Sequence, residues 1–569
     1  MAFVGDVNDN FIIIDDRAYT EDKILVYNVF LYSIPISIGD DDLNEYFQRY
    51  GRIAVLRTRK PSEQDPRYKP TKIGFLNFTD AYAATNVLRK RTHFIKNEPV
   101  SVKACDSWHQ PNTGQYCSET KMITNDDLTR PTALIFTLND DCLENICKYL
   151  ELSDKIQFAR ACKRFYNVFI MTSKIAYKTL LLDDMRSFTL WQVRQFLEMI
   201  GQFVETVKGQ IRHKQWMRFA KFFNYYCKNV KSLILYDTVF KARFLRKFLM
   251  GMMSLKVLEL HCASLNNDCV DILKELPNLR VLRLSLNYDL NGSVLNELPM
   301  IEELSLYGSA LQPIYLKEIC IAMKALRILD VRRCDKLNTM AFRAIAYHCR
   351  SLETLKISCY KPRFECIARL PKLKNLELVV ETVAMGPELF IELVKHKSDQ
   401  LESLTLKGED CINSENVSLI CKLKKLKILR CSESNALNNM WLRQLSELST
   451  LEEVDVAGCE RITNTGLVDL LRKCRKLKRL NIIRCKQLTE EFILDACNIL
   501  RVPRRENSLL ILAYGSGIDQ FAIDRNEIAK CSNFMKLTFD LPQFESRCFD
   551  DIDDNHLQPI SDQLEEDFF

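Results

Sequence analysis

The sequence predicts an α/β protein in which a long horseshoe of short parallel strands, each backed by a helix, follows a small helical segment and an α/β sandwich. Three observations carry that prediction. An L-x-x-L-x-L pattern recurs from Val204 to about Tyr514, apolar residues from Leu138 to Val168 fall at helical spacing, and residues 24–105 alternate strand-like with helix-like runs. The composition fits several packed cores, with 47% hydrophobic and 27% charged residues among 569, and it excludes a globally disordered chain.

The repeats come first because they organise most of the chain. Clear copies run from Leu255, Leu258 and Leu260 through Leu279, Leu282 and Leu284 to Leu477, Leu480 and Ile482, with weaker ones at Val204, Val230, Leu426 and Leu509. Their starts lie mostly 21 to 28 residues apart. The fourth and sixth positions share one face of a short strand, and one such unit cannot bury that face alone, so the copies must stack. Several copies add a cysteine after the strand and another before the next, as at Cys334 and Cys349, Cys459 and Cys474, Cys485 and Cys497. These cysteines read as small apolar fillers in tight turns, with metal or redox chemistry as the alternative. No C-x-x-C occurs, so neither a structural zinc nor any other metal or cofactor is expected. The stretch VDVAGCERITNTGLVDLLRKCRKLKRLNII, residues 454–483, resembles the cysteine-containing subclass of leucine-rich repeats.

Ahead of the repeats, LNDDCLENICKYLELSDKIQFARACKRFYNV at 138–168 offers two or three short helices with more apolar faces than they can cover among themselves. The segment resembles the F-box, from a leading leucine through an acidic first turn to CKRF at 162–165. It departs from that pattern in having Asn139 for proline and Phe165 for tryptophan. The resemblance implies that Leu138, Leu143, Ile146, Leu150, Ile156, Cys162 and Phe165 are buried against a Skp adaptor, which links to a cullin scaffold and a ubiquitin-conjugating enzyme. The alternative is that the helices cap the first repeat. The repeats would then read a protein substrate on their concave face, whose outward residues are mixed in sign: Arg283, Lys356, Arg430 and Arg479 against Glu259, Glu303, Asp330, Glu377, Glu453 and Asp455.

At the N-terminus, VFLYSIP at 29–35, DDDLNEYFQRYGRI at 40–53, KIGFLNF at 72–78, DAYAATNVL at 80–88 and EPVSVKAC at 98–105 resemble an RNA-recognition motif. Phe30 and Phe75 match its base-stacking positions, the third such position holds Ile73, which cannot stack, and Arg57, Arg59 and Lys72 are the candidate phosphate contacts. Single-stranded RNA binding and protein docking by this module both stay open.

These readings divide the chain into an acidic segment at 1–23, the sandwich at 24–105, a linker at 106–132, the F-box at 133–170, the repeats with flanking helices at 171–539 and an acidic tail at 540–569. The net charge of +6 conceals an excess of +16 in the repeat region against −9 in the tail, so the tail is a candidate self-competitor folding onto basic repeats, or a merely solvating end. No basic, apolar leader opens the chain and no apolar run approaches a membrane span, which leads to an expectation of the cytosol or nucleus and no membrane. Neither G-x-x-x-x-G-K-[ST], H-E-x-x-H nor G-x-S-x-G occurs, so a non-catalytic ligase subunit is expected. The alternative is an RNA-binding scaffold that uses the F-box to assemble a ribonucleoprotein.

Overall fold

Alternation of apolar and polar side chains places the N-terminal strands, as the computed structural model shows; it describes residues 11–59, 70–111, 133–211, 216–359, 363–380, 385–408, 411–501, 508–522 and 533–540. Most of the linker and nearly all of the acidic tail lie outside these residues. The chain packs as two compact units, Met1–Ala263 with Glu275–Leu279, and Ser264–Lys274 with Arg280–Phe569. The repeat region, read from the sequence as one block, is shared between them.

The first unit opens with a hairpin of β1 (Phe11–Ile14) and β2 (Arg17–Thr20). Phe11 and Ala18 join the core of the following module, and Ala18 N donates to Thr85 Oγ1 at 2.8 Å, so these residues belong to that module although their acidic neighbours set them apart in the sequence. The module then runs β3 (Asn28–Pro35), α1 (Asp40–Gln48), β4 (Ile53–Arg59), β5 (Thr71–Phe78), α2 (Ala81–Leu88), β6 (Thr92–Ile95) and β7 (Glu98–Ala104). Its strands form an antiparallel sheet in the order β4-β5-β3-β7-β6. Val29, Leu31 and Leu76 on one face of that sheet pack against Leu43, Phe47, Ala84 and Val87 of the two helices. β7 is the strand read at 98–105, whereas β6, which pairs with it as a hairpin, has no counterpart in the sequence reading.

Three helices follow: α3 (Asp140–Tyr149), α4 (Leu152–Ala161) and α5 (Lys163–Ala176). Asn139, at the position where a proline was expected, caps α3 by accepting from Cys142 N at 2.9 Å. The chain continues through β8 (Thr179–Leu181), α6 (Leu190–Ile200), β9 (Thr206–Gly209), α7 (Trp216–Tyr226), β10 (Ser232–Tyr236), α8 (Ala242–Leu249) and β11 (Val257–His261), and these four strands pair in parallel in chain order. Helices α4 and α5 reach the first repeat: Arg160 Nη1 donates to Gln195 Oε1 at 3.2 Å, and the Tyr177 ring lies 6.2 Å from Phe169 and 5.2 Å from Phe196. The start of the linker is packed too. Trp108 meets Phe222 of α7 at 5.4 Å with Arg194 of α6 over both rings, and Asp22 accepts from Ser107 and Thr189.

In the second unit, β12 (Val281–Arg283), β13 (Glu303–Ser305), β14 (Ile328–Val331), β15 (Thr354–Cys359), β16 (Asn375–Val380), β17 (Ser403–Lys407), β18 (Ile428–Arg430), β19 (Glu453–Asp455), β20 (Arg479–Asn481), β21 (Leu509–Leu512) and β22 (Met535–Thr538) pair in parallel, each with the next. The pattern leucines are the core: Leu329, Leu355, Leu404 and Leu480 are each fully buried. Two strands, β8 and β22, lie outside the pattern and extend it at either end.

Two repeating devices hold neighbouring copies in register. After several strands one residue takes a left-handed conformation, at Gly308, Arg333, Glu433, Gly458 and Arg484, followed by a buried Ser309, Cys334, Ser434, Cys459 or Cys485. Cys334, Cys459 and Cys485 turn their Sγ back to the preceding repeat, donating to the carbonyls of Leu306, Cys431 and Val456 at 3.1 to 3.2 Å. Burial pushes the Cys459 and Cys485 thiols up to about 12, so they are neutral donors rather than reactive thiolates. The second device is a ladder at the second pattern position, where charge alternates through Arg280, Glu302, Arg327, Glu353, Lys374, Glu402, Lys427, Glu452 and Lys478. Backbones stack there, with Glu353 N donating to Arg327 O at 2.8 Å and Lys374 N to Glu353 O at 2.9 Å. The side chains pair across repeats: Glu353 with Arg327 at 3.3 Å and with Lys374 at 3.6 Å, Glu402 with Lys427 at 2.8 Å, and Glu452 with Lys478 at 2.6 Å.

Candidate functional site

The apolar stripe at 138–168 is put to two uses. Leu143, Phe165 and Val168 form a small core of their own, with Ile135, Leu138, Ile146, Phe158 and Cys162 packed around it. Phe165 lies between Phe158, at 4.4 Å and parallel, and Phe136 at 5.5 Å. Leu143, Ile156 and Phe165, assigned from the sequence to an adaptor interface, are therefore buried by the chain itself. A side chain enclosed on all sides has nothing left to offer a partner. Leu138, Ile146, Leu150 and Cys162 are half-buried, and Cys162 also caps α5 through Phe165 N at 3.5 Å.

What remains outside is a set the sequence reading missed. Leu134 is 85% exposed, Tyr149 91%, Met171 68% and Ile175 82%, an unusual amount of large apolar surface for so short a segment. Arg164 organises the entry to it. Its guanidinium donates to the carbonyls of Phe136 at 2.9 Å and Leu138 at 2.6 Å and to Asp140 at 2.8 Å, clamping the leading segment onto α5.

On the N-terminal sheet, strand alternation does as expected. Phe30 and Phe75 are cross-strand partners with ring centroids 5.0 Å apart, while Leu31, Gly74 and Leu76 turn to the helices. Ile73, half-buried, shares the face of Phe75, and Arg59 and Arg57 pair opposite Ile73 and Phe75 from β4, both exposed. Tyr32 was overlooked: it lies parallel to Phe30 at 6.3 Å, and Lys103 Nζ sits 5.4 and 5.5 Å from the two rings. Its signal was simply a second aromatic two residues along one strand. Lys72 is a correction. It alternates to the helix side and binds Asp40 at 2.7 Å beside Thr58, which holds that carboxyl below its usual range, so the structure does not bring it to the aromatic face. From the linker, His109 packs edge-on to Phe75 at 6.4 Å.

On the strand face of the second unit, the outward charges neutralise one another: Arg283 with Glu303 at 3.0 Å, Arg430 with Glu453 at 2.9 Å, and Glu377 with Arg332, Lys356 and Lys407 at 2.9, 3.5 and 3.4 Å. Asp455 is mostly buried, which raises its carboxyl, and accepts from Ala457 N and Asn481. Arg479 stands exposed on β20, and in the first unit Glu259 of β11 faces His261 at 3.4 Å. Among the described residues no helix is long and apolar enough to cross a membrane.

The three short helices define an F-box domain, whose family model matches residues 135–174. The chain is also 32% identical over 88 residues to a probable splicing factor of Encephalitozoon cuniculi (strain GB-M1), an alignment over 16% of this chain and 26% of that protein. The chain thus spans about a quarter of the length of that relative. Among solved structures, the yeast Rad7 and Elc1 complex is similar with a TM-score of 0.39 at 13% identity, over 71% of this chain and 89% of that one. The RNA-binding domain of Hrp1 in complex with RNA gives 0.12 at 21%, over 16% and 50%.

Proposed function

We propose that this chain is the non-catalytic substrate-recognition subunit of a Skp–cullin–F-box ubiquitin ligase, acting in the cytosol or nucleus. The F-box domain at 135–174 carries the reading. The uncovered Tyr149 and Met171 within it, with Leu134 and Ile175 at its two ends, would take the Skp adaptor, and through it a cullin. The strand face of the repeats, with its mixed, paired charges, would hold a protein substrate for ubiquitination and proteasomal degradation. A face so nearly neutral favours shape and hydrogen bonding over attraction to a polyanion.

Two large apolar side chains fully buried at an interface contribute roughly 1.5 to 3 kcal/mol each before association costs, and a carboxylate in their place is desolvated without a partner. Met171→Asp with Ile175→Asp should therefore weaken co-purification of the Skp adaptor by roughly 100-fold while thermal unfolding stays within about 1 kcal/mol of wild type. Undiminished adaptor capture by a folded double variant would refute this surface. Absence of cullin and of ubiquitin transfer to any associated protein would refute the ligase reading.

The exposed pair Phe30 and Phe75, with Tyr32 beside them, supports a second component: an RNA-recognition-motif-like module that binds single-stranded RNA by stacking. The resemblance to a probable splicing factor points the same way. This component also fits the alternative reading, a ribonucleoprotein scaffold that recruits the adaptor without ubiquitin transfer, and the transfer assay separates the two.

A further inference from the structure

The basic excess of the repeat region is concentrated. Between 206 and 258 the sequence holds twelve lysines and arginines and one acidic residue, Asp237. Helices α7 and α8 span this stretch side by side, joined by Phe223 against Phe248 at 5.5 Å and by Asn224 Nδ2 donating to Lys247 O at 2.6 Å. Their apolar faces point inward, which leaves the cations outside. Lys231 pairs with Glu205 and Arg246 with Glu275. Exposed Lys221, Lys241, Lys247 and Lys256 meet no carboxylate among the described residues. Tyr225, 69% exposed, stands among them with Lys228 Nζ 5.8 Å from its ring.

This face is physically continuous with the aromatic sheet of the N-terminal module, inside the same compact unit. Phe75 touches His109 at 6.4 Å, His109 touches Trp108 at 5.8 Å, and Trp108 touches Phe222 at 5.4 Å. Phe222 lies one residue from Lys221 and three from Tyr225 on α7. We infer that the outer face of α7 and α8 is a nucleic-acid surface that takes the phosphates of a single strand whose bases stack on the module's sheet. The inference rests on the reading of the module as an RNA binder. A polyanion is drawn by the unpaired lysines, an aromatic among them accepts a base, and the sheet alone offers few cations for a longer strand.

The test uses the full chain and fluorescein-labelled oligouridylates of about 20 and about 5 nucleotides, the shorter one long enough only for the sheet. Lys221→Gln, Lys228→Gln, Lys241→Gln and Lys247→Gln combined should weaken the longer probe roughly 10-fold at 0.1 M salt. The slope of log K against log salt should flatten by about 0.7 per lost phosphate contact. The shorter probe should bind as to wild type, and Phe30→Ala with Phe75→Ala should lose both. Unchanged affinity and slope in the lysine variant, beside loss in the aromatic variant, would overturn this surface and leave the module's reading intact. No wild-type binding to either probe would overturn both. Lysine-dependent binding to phosphatidylserine vesicles in place of RNA would also overturn it. Matching circular dichroism melts establish that the variants are folded.

Discussion

At the scale of single residues, the N-terminal sheet presents Phe30, Tyr32 and Phe75 together, with Lys103 beside the first two rings. Alternation alone put Phe30 and Phe75 on one face, because each strand residue has only two directions to point. The same rule, applied one residue further, would have moved Lys72 to the other side and added Tyr32. His93 shows what no pattern reveals. It is almost fully buried in the module, with Nε2 3.0 Å from Val87 O and Nδ1 3.2 Å from the Tyr46 hydroxyl, and burial, with Lys90 nearby, holds its pKa below 6.5. The folded state thus binds fewer protons than the unfolded state at mildly acid pH. The penalty is absent well above pH 6.5 and grows as pH falls from there to the folded pKa. Urea unfolding of the wild type should lose stability between pH 7 and pH 5, and His93→Gln, though weaker throughout, should lose less over that interval. Arg164 is a second such case. Arg164→Ala removes three donated bonds at a partly exposed site, for an expected loss of about 1 kcal/mol after allowing for solvent. Hydrogen exchange at 134–138 should quicken and adaptor affinity should drop, with Arg164→Lys recovering little because an ammonium cannot span the two carbonyls and Asp140.

Secondary elements were legible wherever a long apolar period marked them. The three helices at 140–176 and the strands from β9 through β21 follow their periods, and the stripe at Leu143, Ile146 and Cys147 did identify a packed helix face. Periodicity says which face is apolar and not what covers it. Leu143, Ile156 and Phe165 are covered from within, so a substitution there, or at Ile146 beside that core, unfolds the domain as readily as it breaks a contact. Met171 and Ile175, one turn apart on the outside of α5, are free of that ambiguity. The short elements were lost for a different reason. β1, β2, β6, β8 and β22 run three or four residues each and lie outside the repeat that marks equally short strands such as β12 and β20, and their stability comes from the neighbours they pair with.

For the whole molecule, the order of domains was readable and its division was not. Counting repeats gave one block, whereas contacts place the first four parallel strands with the F-box and the N-terminal module. The linker read as a spacer begins with Ser107 bonded to Asp22 and Trp108 packed on Phe222 of α7 beneath Arg194 of α6, because an isolated tryptophan in a polar stretch carries no period to announce its partner. The charge ladder, by contrast, stood in plain sequence, one residue after each leading leucine. Its energy belongs to the array, since each exposed pair is screened and small. Glu353→Lys, set between Arg327 and Lys374, should lower the melting temperature, and raising salt from 0.05 to about 0.5 M should recover most of the loss.

That ladder gives the solenoid a parity. Stacked arrays gain and lose whole copies by duplication and deletion, but with signs alternating along the edge, neighbouring copies are not interchangeable. Excising Leu326–Ser351 would set Glu302 directly beside Glu353, like against like, whereas excising residues 326–372 would set Glu302 beside Lys374 and keep the alternation. The single-copy deletion should show a salt-rescued defect that the two-copy deletion lacks, despite its smaller loss of chain. Between Arg280 and Lys478 the unit of the array is then a couplet of repeats, and its length there should change in even steps.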